Sequence, residues 1–261
     1  MRLRKSVVAV LIGCAALIAV PPLAADDAQA EAESVRDRAI SKLVAWRPKS
    51  AQAILQKETK YEETQPWLTA EAFLMATYGI GQDGDTVNKG LGILDKQAKK
   101  TTADPVSEFY RGEVLKWLEQ TDKAKAAWQN AKDRAAALVK KSSRDGRAQF
   151  YLGASLVRLN QPDEARKALK KAQRLDFDKP MVDFQIGLTY LLQENWKAAV
   201  KSFDDVHELD PRYAHLYFYR GLAWEKLGRT DNFLIDLDQF VKLAPNSPEA
   251  KTANALLAAV R

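Results

Sequence analysis

The sequence predicts an all-α protein built as a solenoid of about six helical hairpins, with a capping helix at its C-terminal end. The main observation is a pattern that occurs twice between Pro180 and Pro245, with a spacing of 34 residues. The matched positions are Gly187 and Gly221, Tyr190 and Trp224, Ala199 and Phe233, Phe203 and Leu237, and Pro211 and Pro245. A self-similar period of this length is typical of repeat proteins, in which each unit packs mainly on its neighbours.

The residue types at these positions have physical reasons. Glycine at the crossing of two helices lets their backbones approach, and Ala199 does the same from the second helix. The large residue four positions later, such as Phe203, is expected to fill the space between one hairpin and the next. Pro211 lacks the N–H that a continuing helix needs, so the chain turns there. In this spacing the sequence resembles the tetratricopeptide repeat (TPR), and the resemblance implies a right-handed superhelix of TPR type.

The pattern extends over residues 105–247 as four units. Gly112 and Gly153 mark the first two, separated by 41 residues instead of 34. The extra residues predict a longer second helix in the first unit, supplied by the run 135–141. The predicted units are 105–138, with its second helix extended to 145, then 146–179, 180–213 and 214–247. Residues 248–261 are predicted to form the capping helix, with an N-cap and a helix-opening proline in Asn246-Ser247-Pro248.

The unit at Gly221 departs from the pattern. It carries Phe233 where an alanine is expected and Phe240 where a second small residue is expected. Because these rings need more room than a methyl group, we expect this hairpin to be splayed and the capping helix to accommodate the bulk.

Residues 31–104 are predicted to form diverged hairpins of the same kind. Val35, Ala39, Ile40 and Leu43 are spaced for one face of a helix over residues 31–46. Further helices are predicted from residue 50 to about 60, over 67–78 and over 86–99, with a glycine-rich turn at 79–84. One period before Gly112 stands Tyr78, which is too bulky for a helix crossing, so the repeat register is not readable here.

The first thirty residues have the layout of a secretory signal peptide. A basic start is followed by an apolar run over residues 6–20, and a small-residue tail ends in Ala28-Gln29-Ala30. The run is shorter than the ~20 residues of a spanning helix. We therefore expect cleavage after Ala30, with cleavage after Ala25 as the close competitor, and a periplasmic or secreted protein. The alternative is a lipoprotein, because residues 11–14 resemble a lipobox, and only acylation of Cys14 would then tie the chain to a membrane.

Composition and motifs give little support for catalysis. The net charge is +6, with acids and bases interleaved, so no nucleic-acid-binding stripe is indicated. Cys14 is the only cysteine, and the histidines, His207 and His215, do not have a helical ligand spacing. We therefore expect a protein that is not an enzyme, with no metal, no cofactor and no small-molecule substrate.

The TPR resemblance implies a binding surface on the first helix of each unit. The family's ligand contacts come from positions three before the glycine and one, four and five after it. The candidate groove residues at these offsets are Phe109, Lys116, Phe150, Arg158, Phe184, Leu188, Leu191, Leu192, Phe218, Leu222 and Glu225. The four phenylalanines either pack at the seam between helices or form the floor of an apolar trough. The family's carboxylate clamp is excluded, because its lysine and asparagine positions hold other residues here.

Three functions follow from this prediction and stay open. The first is an exported scaffold or adaptor, of unknown protein or peptide partner, that resembles TPR adaptors of envelope assembly. The second is an envelope enzyme or carbohydrate-handling protein that uses the superhelix as a cleft. The third is a structural protein whose own N-terminal hairpins fill the groove.

Overall fold

The computed structural model describes residues 25–100 and 104–260. This part of the chain folds into thirteen α-helices and a short 3-10 turn, Thr59–Tyr61, that follows the second helix. In chain order the helices are α1 (Ala25–Val44), α2 (Pro48–Lys57), α3 (Gln65–Gly79), α4 (Gly84–Lys100), α5 (Pro105–Trp117), α6 (Thr121–Lys141), α7 (Gly146–Arg158), α8 (Pro162–Arg174), α9 (Lys179–Leu192), α10 (Trp196–Leu209), α11 (Ala214–Lys226), α12 (Thr230–Leu243) and α13 (Ala250–Val260).

Consecutive helices pack as antiparallel pairs, and each pair packs on the next. The predicted all-α solenoid of six hairpins with a final helix is confirmed, including the longer second helix, α6, of the first clean unit. Within the described residues, no helix is long and apolar enough to cross a membrane. Residues 1–24 of the predicted signal segment, including Cys14, lie outside the described part of the chain.

The last helix begins later than predicted. It starts at Ala250 and not at Pro248, and residues 245–249 form turns. Ser247 does not cap this helix, because its hydroxyl donates to the carbonyl of Ala244 at 3.0 Å and its side chain is buried. The serine therefore ties the turn to the end of α12.

Glycine sets the helix crossings, and the large residue of the second helix packs on that glycine as well as on the next hairpin. A Cβ placed on Gly187 would lie 2.5 Å from Cε1 of Phe203, and one on Gly153 would lie 2.6 Å from Cγ of Leu169. The large residue thus covers the glycine of its own hairpin. The ring fits there because glycine has no side chain to occupy the same volume. Phe203 also reaches the next hairpin as predicted, since its ring stacks on Tyr219 of α11 with centroids 6.5 Å apart.

In α11–α12 the space around the crossing glycine is larger, but the two helices pack on each other as extensively as α9 and α10 do, so the predicted splaying of the whole hairpin is wrong. A Cβ on Gly221 would meet Leu237 only at 3.4 Å, which is an ordinary contact distance. Phe233 and Phe240 are both buried, so the extra volume is absorbed inside the core.

The turns inside the four clean hairpins share a left-handed residue. Glu119, Asn160, Glu194 and Gly228 have φ values of 59°, 58°, 56° and 70°. In each turn the next backbone N–H bonds to a carbonyl five residues back, as from Asn195 to Tyr190 at 2.9 Å, which ends the first helix in a Schellman motif. Only one of the four is glycine, so this signal is weak in the sequence.

Candidate functional site

The protein's own first helix lies along the concave face of the solenoid and contacts its inner helices. Helix α1 packs on α2 and α3 and continues along the inner helices α7 and α11. At its C-terminal end, the carbonyl of Val44 lies 3.2 Å from Nδ1 of His215, and the N–H of Ala214 donates to the carbonyl of Ala45 at 3.4 Å. These contacts join residues about 170 positions apart in the chain, so α1 spans the groove.

The apolar face of α1 is an integral part of the core. Val35, Ala39, Ile40 and Leu43 are buried, as is Trp46 just after the helix. Burial of each large apolar side chain contributes roughly 1.5–3 kcal/mol. Together they make spontaneous release of α1 rare.

Arginines fix α1 in register on the inner helices. Arg147 of α7 pairs with Glu33 and with Asp37, the latter at 2.7 Å. Burial raises the pKa of Glu33, but Arg147, Gln29 and Arg36 together outweigh this effect, so the pKa lies below the ordinary value. Arg36 is buried against Asp37 at 3.0 Å and Asp104 at 3.6 Å. Just after the C-terminal end of α1, Arg47 forms an ion pair with Asp210 in the α10–α11 turn.

The four candidate phenylalanines are packing residues. Phe109, Phe150, Phe184 and Phe218 are all buried, and each contacts a ring of a neighbouring element. Phe109 meets Tyr151 of α7 with ring centroids 5.6 Å apart, and Phe218 meets Phe240 of α12 at 5.1 Å. The alternative prediction, that these rings form the open floor of an apolar trough, is therefore wrong, because the contacts between neighbouring helices bury them.

The remaining candidates divide by position along their helices. Leu188 is only 7% exposed and belongs to the core, so it too is not an open groove residue. Arg158 is engaged with Glu113 in two bonds of 2.8 and 3.0 Å. Burial lowers the pKa of Arg158, but the carboxylate beside it more than compensates, so the pKa lies above its ordinary value and the guanidinium is charged.

The accessible candidates lie at the C-terminal ends of the inner helices. Lys116, Leu192 and Glu225 are exposed, while Leu191 and Leu222 are half-buried. We call these five residues the rim. Whether the rim binds a partner stays a prediction.

A small cavity lies where α1 ends. It measures about 70 Å³ and is bounded by aromatic rings, Trp46 and Phe73 among them, and by the Glu113–Arg158 pair. Gln185 lines it, and the buried Oε1 of this side chain has no hydrogen-bond partner within residues 25–100 and 104–260. A polar cavity of this size has room for a few water molecules.

The histidines have structural partners. Nδ1 of His207 lies 3.0 Å from Oη of Tyr217, and His215 packs its ring on Trp46 with centroids 5.5 Å apart. Among residues 25–100 and 104–260, no group of three or more His, Cys, Asp or Glu side chains is arranged to hold a metal ion. The absence of a cofactor or of catalysis stays a prediction.

Sequence reasoning missed two features of the N-terminal hairpins. In α3–α4 the crossing glycine is on the second helix, since a Cβ on Gly90 would lie 2.5 Å from the carbonyl oxygen of Ala72. Only the alanines of α3, Ala72 and Ala76, hint at this. The contact of Glu33 and Asp37 with Arg147 had no local signal, because the partners are more than 100 residues apart.

The comparisons with known proteins agree with this architecture. Residues 119–179 and 184–248 match the tetratricopeptide repeat family model. A thermophilic TPR protein from Thermus thermophilus superimposes with a TM-score of 0.56 at 16% identity, over 75% of this chain and 100% of that chain. A chain of the Cut9–Hcn1 hetero-tetramer of the APC/C superimposes with a TM-score of 0.54 at 15% identity, over 92% of this chain and 43% of its own length. These similarities show the fold. No curated protein matches the sequence.

Proposed function

We propose that this protein is a tetratricopeptide-repeat protein and an exported adaptor of the cell envelope, which binds a protein or peptide through the rim of its solenoid. Repeats of this family act as protein-interaction scaffolds. The observation that carries the proposal is the division of the concave face. Its centre is occupied by α1, whereas Lys116, Leu192 and Glu225 are exposed at the C-terminal ends of three inner helices.

Export is supported by the first thirty residues and by the burial pattern of α1. Ala32 is the first buried residue of the described chain. Removal of everything up to Ala30 would therefore leave the packed face of α1 complete. It would also keep Glu31, which accepts a hydrogen bond from Tyr61.

Intact mass after cell fractionation tests export. A soluble envelope protein that begins at Glu31 is the expected result. An acylated N-terminal Cys14 would instead support the alternative prediction of a lipoprotein. An unprocessed chain in the cytoplasm would overturn the proposal of export.

Capture from the protein's own envelope fraction tests the rim. Leu192→Glu places a charge on an apolar side chain that is 42% exposed, and Ile235→Glu makes the same change on α12 at a side chain that is 67% exposed. We expect the wild type and Ile235→Glu to retain a specific partner and Leu192→Glu to lose it. Equal retention by both variants would exclude Leu192 from the binding surface.

The occupied groove favours a second candidate, a structural protein that needs no ligand there. Arg147→Met tests whether a partner enters the groove, because it removes the ion pairs that hold α1. If a partner enters by displacing α1, this variant captures more of it, and if the partner binds the rim, capture is unchanged. If none of the variants nor the wild type retains a specific partner, the adaptor is wrong and the structural role replaces it.

A further inference from the structure

The outer face of α8 carries a row of four cations, with acids only in the first turn of the helix. Lys167, Lys170, Lys171 and Arg174 are spaced at i, i+3, i+4 and i+7, so they lie on one side of the helix. All four are exposed, and none is within 4.0 Å of a carboxylate among the described residues. Like charges at these spacings repel each other. The opposite face of the helix, with Ala165 and Leu169, is buried.

The architecture of the repeat does not require these cations. One period later, in α10, Asp204, Asp205 and Glu208 occupy the positions of Lys170, Lys171 and Arg174. In α6 the same three positions hold Gln129, Asn130 and Asp133, and in α12 they hold Asp238, Gln239 and Lys242. Since four outer helices tolerate acidic, neutral and basic residues here, packing does not explain the row on α8.

The row continues onto the neighbouring turn. A Cβ on Gly146, where α7 begins, would lie 3.2 Å from the Cβ atoms of both Leu175 and Phe177, so the α6–α7 turn lies against the α8–α9 turn. Three more exposed cations lie at the end of α6 and in this turn. Together with the row on α8 we call them the basic edge, which comprises Lys140, Lys141, Arg144, Lys167, Lys170, Lys171 and Arg174.

The acids near the basic edge are few and mostly engaged. At the start of α8, Asp163 pairs with Arg166 at 2.9 Å, and Glu164 beside it is exposed. Asp145 and Asp178 accept hydrogen bonds from backbone N–H groups at the starts of α7 and α9, at 2.9 and 3.1 Å. Asp176 is exposed in the α8–α9 turn. Leu175 beside it is an exposed apolar side chain at the end of the cationic row.

We infer that the basic edge docks the protein on a bilayer of anionic phospholipids. Five of its seven cations are lysines, whose mobile point charges suit a diffuse layer of headgroups better than the fixed geometry of one acidic protein. An exposed leucine among cations suits the boundary between headgroups and acyl chains. The inference goes beyond the adaptor function and requires no ligand in the groove.

Vesicle co-sedimentation tests the inference, using the protein as purified from its host with its N-terminus established by intact mass. Vesicles of phosphatidylcholine alone are compared with vesicles that contain phosphatidylglycerol. We expect at least ~10-fold stronger partitioning onto the anionic vesicles, falling as salt is raised. The probe is the lipid alone, so loss of the adaptor's partner does not affect the result.

Two charge-reversal variants give a matched comparison. Lys167→Glu with Lys171→Glu changes two exposed lysines four residues apart on α8, and Lys197→Glu with Lys201→Glu does the same on α10. The first pair should lose the preference for anionic vesicles and the second should keep most of it, while Lys167→Arg with Lys171→Arg should bind like the wild type. Circular dichroism checks that each variant is folded.

Two results would overturn the inference. One is equal loss in both charge-reversal variants, which would show that net charge alone drives binding. The other is a wild type with no preference for anionic vesicles, and retention on polyglutamate would then assign the basic edge to acidic proteins instead.

Discussion

The N-terminal hairpins and the four C-terminal hairpins reach the same helical packing by different means. From α5 onward, three hairpins place a glycine of the first helix under a large residue of the second, as in Gly187 and Phe203. In α3–α4 the glycine, Gly90, is on the second helix, and α1 has two roles, because it pairs with α2 as a hairpin and also lies along the groove. The four C-terminal hairpins therefore form most of the solenoid, and helix α1 of the N-terminal region lies against their concave face.

This difference changes how stability is distributed. In an open solenoid each unit is coupled mainly to its neighbours. Here Arg147 of α7 and His215 of α11 both contact α1, so distant hairpins share one element. We expect the chain to unfold more cooperatively than its repeat architecture alone would suggest.

The largest expected effect is at Ile40, in the centre of the apolar face of α1. Ile40→Asp places an unpaired carboxylate in the core and should cost about 4 kcal/mol or more. Because α1 contacts α11, hydrogen exchange should rise in α11 as well as in α1. Ser34→Asp, on the exposed side of the same helix, is the control. Unchanged exchange in α11 and α12 would show that the C-terminal hairpins are independent of α1.

The next effect compares a tight crossing with a loose one. Gly187→Ala should destabilise the protein by roughly 1–3 kcal/mol, because the new Cβ would lie 2.5 Å from the buried ring of Phe203. Gly221→Ala meets Leu237 at an ordinary 3.4 Å and should be neutral or stabilise by up to about 1 kcal/mol through helix propensity. Chemical denaturation measures both, and an equal cost at the two sites would contradict the difference in packing.

A smaller effect comes from the ion pairs that hold α1. Arg147→Met should cost about 1–2 kcal/mol near neutral pH, because Glu33 and Asp37 lose their partly buried partner. Arg38→Met, which breaks a more exposed pair with Glu58, should cost about 0–0.5 kcal/mol.

The cost of Arg147→Met should depend on pH. The folded pKa of Glu33 lies below its ordinary value of 4.5, so the carboxylate stabilises the fold above that pH. This contribution is lost as the pH falls through the depressed pKa. Denaturation of wild type and variant from pH 7 downward should show the gap shrinking below about pH 4.5, and a gap that stays constant into acid would rule out Glu33 as the source.

The smallest effect concerns the left-handed turn residue shared by the clean hairpins. Glu194→Gly should stabilise the protein by about 0.5–1 kcal/mol, since glycine accepts the φ of 56° without strain. Gly228→Ala, at the same position of the next hairpin with a φ of 70°, should have the opposite sign. Shifts in the same direction would mean that the two turns are not equivalent.

The repeated hairpins of the solenoid follow from local patterns in the sequence. These patterns are the spacing from Gly153 to Gly187 and Gly221, the added length of α6 and the bulky residues of α12. Each acts within one hairpin or between adjacent helices, so no distant contact is needed to interpret it. Their outcomes were therefore predictable, except that the bulky residues of α12 do not splay their hairpin. The helices of the N-terminal region were predictable from periodicity for the same reason.

Only the tertiary structure decided what lies in the groove. The offsets that identify Phe184 and Leu188 as groove residues describe one face of one helix, and that face is the same whether solvent, a partner or α1 covers it. The choice depends on Val44 meeting His215 and on Glu33 meeting Arg147, contacts over 171 and 114 positions of the chain that leave no periodic trace. Burial of Ile40 and Leu43 then makes α1 part of the core and leaves Leu192 exposed at the rim.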